Sequence, residues 1–251
     1  MSDSDSDGSP RATTIASSTN MQRLDAWKEY EVSDPLAESL VANKFVKPTE
    51  VQARSLVFLQ SHVDMVIAAK TGQGKTLCFG IPMLDLLIRR LEKEGHEKEE
   101  FDCIKGLVMS PTRELAIQIK DHLEAVVPPE YSQQIKIAAL VGGMSIQKQI
   151  RLLSYKPTII VATPGRLWEL MSEHMDTYLL KSLPMIDVLV LDEADRMIAD
   201  GHFKELHHIL AHVYTNRVAI KNDRKKKQSG KEEEKKPNKF AVSEIQEITA
   251  D

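Results

Sequence analysis

Apolar positions along the chain follow two rhythms. Short unbroken apolar runs, "VDMVIAA" (63–69), "IKGLVMSP" (104–111), "IKIAALVGG" (135–143), "PTIIVATP" (157–164) and "IDVLVLDEAD" (186–195), have the length and β-branched content of strands. Between and after them, "KTLCFGIPMLDLLIRRL", "RELAIQIKDHLEAV", "SIQKQIRLLSY", "GRLWELMSEHM" and "ADGHFKELHHILAHVY" space their apolar residues three and four apart, which predicts helices. Strands that are continuously apolar need cover on both faces, so the pattern predicts an α/β fold with a doubly wound, mostly parallel sheet. In such sheets ligands bind beyond the carboxyl ends of the strands, and the unusual residues of this chain cluster at those ends.

The rhythm stops at both termini. Residues 1–20 are rich in Ser, Thr and Asp with almost nothing to bury, and are expected to form a disordered tail. The folded domain is expected over 21–216. Residues 217–251 read as a lysine-rich insertion or tail containing "KKKQSGKEEEKK", after which "FAVSEIQEITAD" regains some helical character. The 251 residues, 42% of them hydrophobic, are enough to bury a full core. No apolar run has the length of a membrane span, the acidic start is unlike a secretory leader, and Cys78 and Cys103 are too few for a disulfide framework. A formal charge of −4 argues against a uniformly basic nucleic-acid-binding surface, so any such contact must be local.

"AKTGQGKT" (69–76) follows an apolar strand and opens a helix. Backbone N–H groups of Ala69, Lys70, Thr71, Gly72, Gln73 and Gly74 can converge on phosphate oxygens at the positive end of that helix. Lys75 can reach the outer phosphates and the Thr76 hydroxyl can ligate Mg²⁺. Ala69 stands where the common phosphate-loop pattern has a glycine. Asp192, ending the run "VLVLD", can hold the same Mg²⁺, and Glu193 is placed to orient and deprotonate an attacking water. Taken alone, two adjacent acids at a strand end could equally be a solvated turn. His208 and His212, four apart, lack an intervening acid and a clear third metal ligand.

"AKTGQGKT", "PTRELA" (111–116), "GG" (142–143), "TPGR" (163–166) and "DEAD" (192–195), in that order, resemble the first RecA-like, P-loop NTPase domain of a DEAD-box RNA helicase, over about Trp27 to Leu206. The family's loop itself begins with alanine, which accounts for Ala69. The resemblance implies ATP and Mg²⁺ as cofactors, with Lys75, Asp192 and Glu193 in catalysis. "FVKPTEVQ" (45–52) is similar to the family's adenine-recognising segment, so Gln52 is expected to present its amide to the adenine edge. Trp27 lies where the family has an aromatic near the base; packing into a core is its other reading. Lys44 replaces the family's usual glycine, implying a local loop difference. Thr112, Arg113, Gly142, Gly143, Thr163 and Arg166 are implied to contact RNA through its backbone, with the two glycines permitting close approach. Asp195 is implied to couple nucleotide state to a second RecA-like domain, which this chain is expected to end before.

"DEADRM...GHFKEL", "TPGRLWEL" and Trp27 further resemble nucleolar helicases acting in large ribosomal subunit assembly. That implies pre-ribosomal particles as partners and a nuclear or nucleolar location, with the cytoplasm as the alternative. Two other readings stay open: a non-catalytic module that binds ATP or RNA only, and a P-loop ATPase acting on DNA.

Overall fold

The computed structural model describes residues 21–59, 61, 63–94, 103–199 and 204–215, and the backbone of 245–249. The expected acidic tail and lysine-rich run lie outside the described residues. Residues 21–85 together with 245–249 form one compact unit, and residues 86–215 form another. Among the described residues no helix is long and apolar enough to cross a membrane.

In the first unit, α1 (21–28), α2 (Asp34–Ala42) and α3 (Glu50–Leu56) precede β1 (Asp64–Ala68), and α4 (Lys75–Glu94) begins within it. Local chemistry sets these boundaries. Thr49 and Gln52 form a reciprocal capping box at the start of α3. The Ser33 N–H ahead of α2 donates to the buried Asp85 carboxylate at 2.8 Å. At the other end of α2 the Lys44 N–H donates to Val41 C=O and the Phe45 N–H to Leu40 C=O, the two bonds of a Schellman motif. Lys44 therefore sits at φ 68°, a conformation that favours glycine. The lysine adopts a glycine-type turn where a local loop difference was expected. Met65 and Ile67 of β1, with Phe58 and Ala69, pack against buried Val51 and Cys78.

β1 pairs in parallel with β6 (Ile245–Thr249), from Asp64 opposite Ile245 to Ala68 opposite Thr249. The helical character expected for this final segment is thus corrected to strand. β-branched Ile245, Ile248 and Thr249 favour extended backbone, and the β1 edge offers N–H and C=O groups that an added strand satisfies.

The second unit carries a four-stranded parallel sheet in the order β3-β4-β2-β5, formed by β2 (Gly106–Met109), β3 (Ile137–Leu140), β4 (Ile159–Ala162) and β5 (Val188–Leu191). Helices α5 (Arg113–Val126), α6 (Ile146–Ser154), α7 (Pro164–Ser172), α8 (Thr177–Ser182), α9 (Ala194–Ala199) and α10 (204–215) make the connections and flank it. Leu107, Met109, Leu140, Ile160, Leu170 and Ile209 belong to one buried cluster beneath them.

The strand and helix expectations from the sequence are met in kind, with α7 stopping at Ser172 before Asp176 caps α8. Cover on both faces is complete for β2, β3 and β4, whose residues are all buried. It is incomplete for β5, an edge strand of its sheet, and for β1, where Val66 is 51% exposed.

Lys44→Gly is expected to stabilise the chain by ~0.5–1 kcal/mol, because it relieves a left-handed lysine while keeping both hydrogen bonds. Urea denaturation followed by circular dichroism would measure it.

Candidate functional site

The loop between β1 and α4 is shaped by two left-handed glycines, Gly72 at φ 85° and Gly74 at φ 86°. It is held from outside by the start of α3. Gln52, 3% exposed, accepts the Thr49 N–H through Oε1 at 2.9 Å and donates from Nε2 to Gly74 C=O at 3.0 Å. The Thr49 hydroxyl donates to Gln73 C=O at 2.9 Å. From inside, the Lys70 N–H donates to Gln73 Oε1 at 2.9 Å, and Lys75 Nζ donates to Ala69 C=O at 2.5 Å. The lysine that a phosphate chain requires is therefore folded back across its own loop. Ala69 packs with Val51 and Cys78, an apolar contact that a glycine would lack. Burial, the dominant influence on Cys78, raises its pKa and keeps it a thiol.

Two sequence expectations change here. Gln52 is not simply a base reader, since half of its amide is already spent on the loop. A Cβ on Gly74 would stand 2.5 Å from Gln52 Nε2, so this glycine is required by its neighbour as well as by its φ. Trp27 is corrected from a base-side aromatic to a core residue. It is 0% exposed, with its indole N–H donating to Phe45 C=O at 2.8 Å, and offers no face to a ligand. Phe45, whose C=O takes that bond, is 37% exposed beside Val46.

In the second unit, three strand ends deliver three of the quoted motifs. The first residue past each strand is tied to its neighbour: Ser110 N–H to Ala162 C=O, Thr163 N–H to Leu140 C=O and Asp192 N–H to Met109 C=O. All six residues expected to meet RNA, Thr112, Arg113, Gly142, Gly143, Thr163 and Arg166, line one cavity of about 520 Å³. The glycine pair also lies against Arg113. A Cβ on Gly142 would lie 2.9 Å from Arg113 Nε, and one on Gly143 2.7 Å from Arg113 Nη1, so the pair makes room for the guanidinium. Thr112 caps α5 by accepting the Leu115 N–H, whereas the Thr163 side chain makes no such bond to α7.

Glu169, which the sequence did not single out, also lines the cavity, 3.3 Å from Arg166 Nη1. Arg166 Nε is enclosed without a hydrogen-bond acceptor, and enclosed Nη1 has the Glu169 carboxylate as its ion-pair partner. An enclosed guanidinium nitrogen without an acceptor fits a site for an anion.

Beyond β5, Glu193 holds φ 49°, a left-handed conformation uncommon outside glycine, and its carboxylate lies 3.5 Å from Arg196. Asp195 is exposed in the first turn of α9. Away from these residues, His208 stacks on Trp168 at 4.8 Å and His212 Nε2 lies 3.0 Å from Leu180 C=O, which are packing roles.

Comparison with known proteins agrees with this layout. Residues 49–228 match the family described as DEAD/DEAH box helicase. The ATP-dependent RNA helicase MAK5 of Debaryomyces hansenii is 40% identical over 191 residues, covering 76% of this chain and 24% of its own length. The ATP-dependent RNA helicase ddx24 of Dictyostelium discoideum is 37% identical over 243 residues, covering 83% and 25%. The chain thus spans about a quarter of the length of these curated relatives. Among solved structures, Mss116p bound to ssRNA and AMP-PNP superposes with a TM-score of 0.65 at 28% identity, covering 76% of this chain and 36% of its own. A DEAD box protein from Methanococcus jannaschii gives a TM-score of 0.60 at 28% identity, covering 88% and 48%.

Gly74→Ala is expected to weaken ATP-analogue binding tenfold or more, about 1.4 kcal/mol, because the methyl group displaces Gln52 and strains the loop. Isothermal titration with a non-hydrolysable analogue would report it. Trp27→Ala is expected to cost ~3–5 kcal/mol of stability, read from urea denaturation, as loss of a core aromatic does.

Proposed function

This chain belongs to the DEAD/DEAH box helicase family, and from that premise we propose that residues 21–216 act as the ATP- and RNA-binding first RecA-like domain of an RNA helicase. In the whole protein, ATP binding closes this domain and a second RecA-like domain on RNA and separates strands locally, and hydrolysis resets them. The convergence of Thr112, Arg113, Gly142, Gly143, Thr163 and Arg166 on one cavity carries this reading. Three motifs far apart in sequence meet there, with the Arg113 and Arg166 guanidinium groups in the lining. Such contacts are independent of base sequence and weaken with salt.

Nucleotide binds at Ala69–Thr76. Gln52 keeps a second N–H and a second lone pair, the donor and acceptor that an adenine edge would take, which favours ATP over GTP. Phosphates draw Lys75 away from Ala69 C=O, since a charged acceptor outcompetes a neutral carbonyl. Thr76 and Asp192, both oxygen donors, suit Mg²⁺, which when bound neutralises phosphate charge. Glu193 orients and deprotonates the attacking water, and Asp195 couples the site to the second domain. Arginines of that domain complete stabilisation of the transferring phosphoryl group. Likeness to the MAK5 and ddx24 helicases, with the "DEADRM" and "TPGRLWEL" wording, supports a role in ribosome assembly on pre-ribosomal particles in the nucleolus.

Steady-state ATP hydrolysis by the 251-residue chain, with and without single-stranded RNA and with Glu193→Gln as background, tests the reading. The expected result is binding of ATP and RNA, with turnover close to the Glu193→Gln background because the second domain's arginines contribute on the order of a thousandfold. Stimulation by duplex DNA and not by RNA would favour the DNA-acting alternative.

A further inference from the structure

Gln149 on α6 is 0% exposed, and neither the phosphate loop nor the cavity lining includes it. Its Nε2 donates to two backbone carbonyls, Val141 at 2.9 Å and Met144 at 3.1 Å. These are the carbonyls on either side of Gly142-Gly143. The amide orientation is unambiguous, because two carbonyls require the NH₂ end. A turn containing a left-handed Gly143 and two glycines has little side-chain packing of its own to define it. The Arg113 guanidinium lies against this turn, in space that a Cβ on Gly142 or Gly143 would enter. Ser145 caps the first turn of α6 by accepting the Lys148 N–H, which fixes the helix that carries Gln149 to the same turn.

We propose that Gln149 is a positioning residue for RNA binding, clamping the Val141–Met144 turn so that Gly142 and Gly143 hold the Arg113 guanidinium in the cavity. The proposal rests on the RNA-binding reading of that cavity. Gln149 touches no ligand itself. It acts by lowering the conformational freedom of a glycine turn before RNA arrives, so its removal affects RNA affinity with little effect on nucleotide affinity. Its Oε1, enclosed and without a hydrogen-bond partner, shows that the side chain is held for its donors.

The test uses the 251-residue chain carrying Gln149→Met, which keeps length and burial but removes both donors. Gln149→Asn, which withdraws the amide by one methylene, serves if the methionine variant does not fold. Leu153→Ala, a buried residue one turn further along α6, controls for general loosening of the helix. Three quantities are read: the Kd for a fluorescent single-stranded RNA, the Kd for an ATP analogue, and hydrogen exchange at the amides of residues 142–145.

The expected result is RNA affinity reduced about fivefold or more and faster exchange at 142–145, neither of which Leu153→Ala reproduces at equal loss of Tm, with ATP-analogue affinity within about twofold. Unchanged RNA affinity in a folded Gln149 variant, or an equal loss in Leu153→Ala, would overturn the proposal. If the unsubstituted chain binds no RNA, the RNA-binding reading fails. In that case unchanged exchange at 142–145 also rejects the clamp, and faster exchange upholds it as a device for a different ligand.

Discussion

Parallel pairing of β2, β3, β4 and β5 obliges all four strands to release the chain at the same edge of the sheet. The rest of the second unit depends on that constraint. "PTRELA", "GG" and "TPGR" are separated by crossover helices, yet they open onto a single cavity because each follows a strand whose register with its neighbour is set. The N–H groups of Ser110, Thr163 and Asp192 extend the ladder by one bond beyond the assigned strands, so "PTRELA", "TPGR" and "DEAD" begin on anchored backbone. A slip of one residue in any pair would turn alternate side chains to the other face and dissolve the arrangement.

What the sequence made legible follows from how each signal arises. Long periodic helices and buried strands are written in residue type, and the boundaries of α5 coincide with the quoted run "RELAIQIKDHLEAV". Short helices such as α3, α8 and α9 owe their existence to caps and tertiary cover, so periodicity does not announce them. The strand β6 was read as helix-like because its pairing partner lies far away in sequence. Motif residues were found in the right neighbourhood, but their immediate partners were not. Nothing in the words "GG" or "PTRELA" says that the glycines lie against Arg113, or that the Trp27 indole N–H is spent on Phe45 C=O. Those are contacts between segments, which a one-dimensional pattern does not contain.

Charge in this acidic chain is arranged at short range. Arg113 and Arg166 line a cavity that also contains Glu114 and Glu169, so its field is that of two oriented guanidinium groups and not of a basic surface. Glu169 beside Arg166 tempers the attraction for free ions.

The Gln52 amide ties together two parts of the phosphate loop's surroundings: through Thr49 it defines the start of α3, and through Gly74 it defines the curvature of the loop. A single side chain thus serves both the segment assigned to the base and the backbone assigned to the phosphates. Over evolutionary time, base preference at residue 52 is not free to drift independently. Any replacement that altered it would remould the loop as well, so residues 49, 52 and 74 are constrained to change together or not at all.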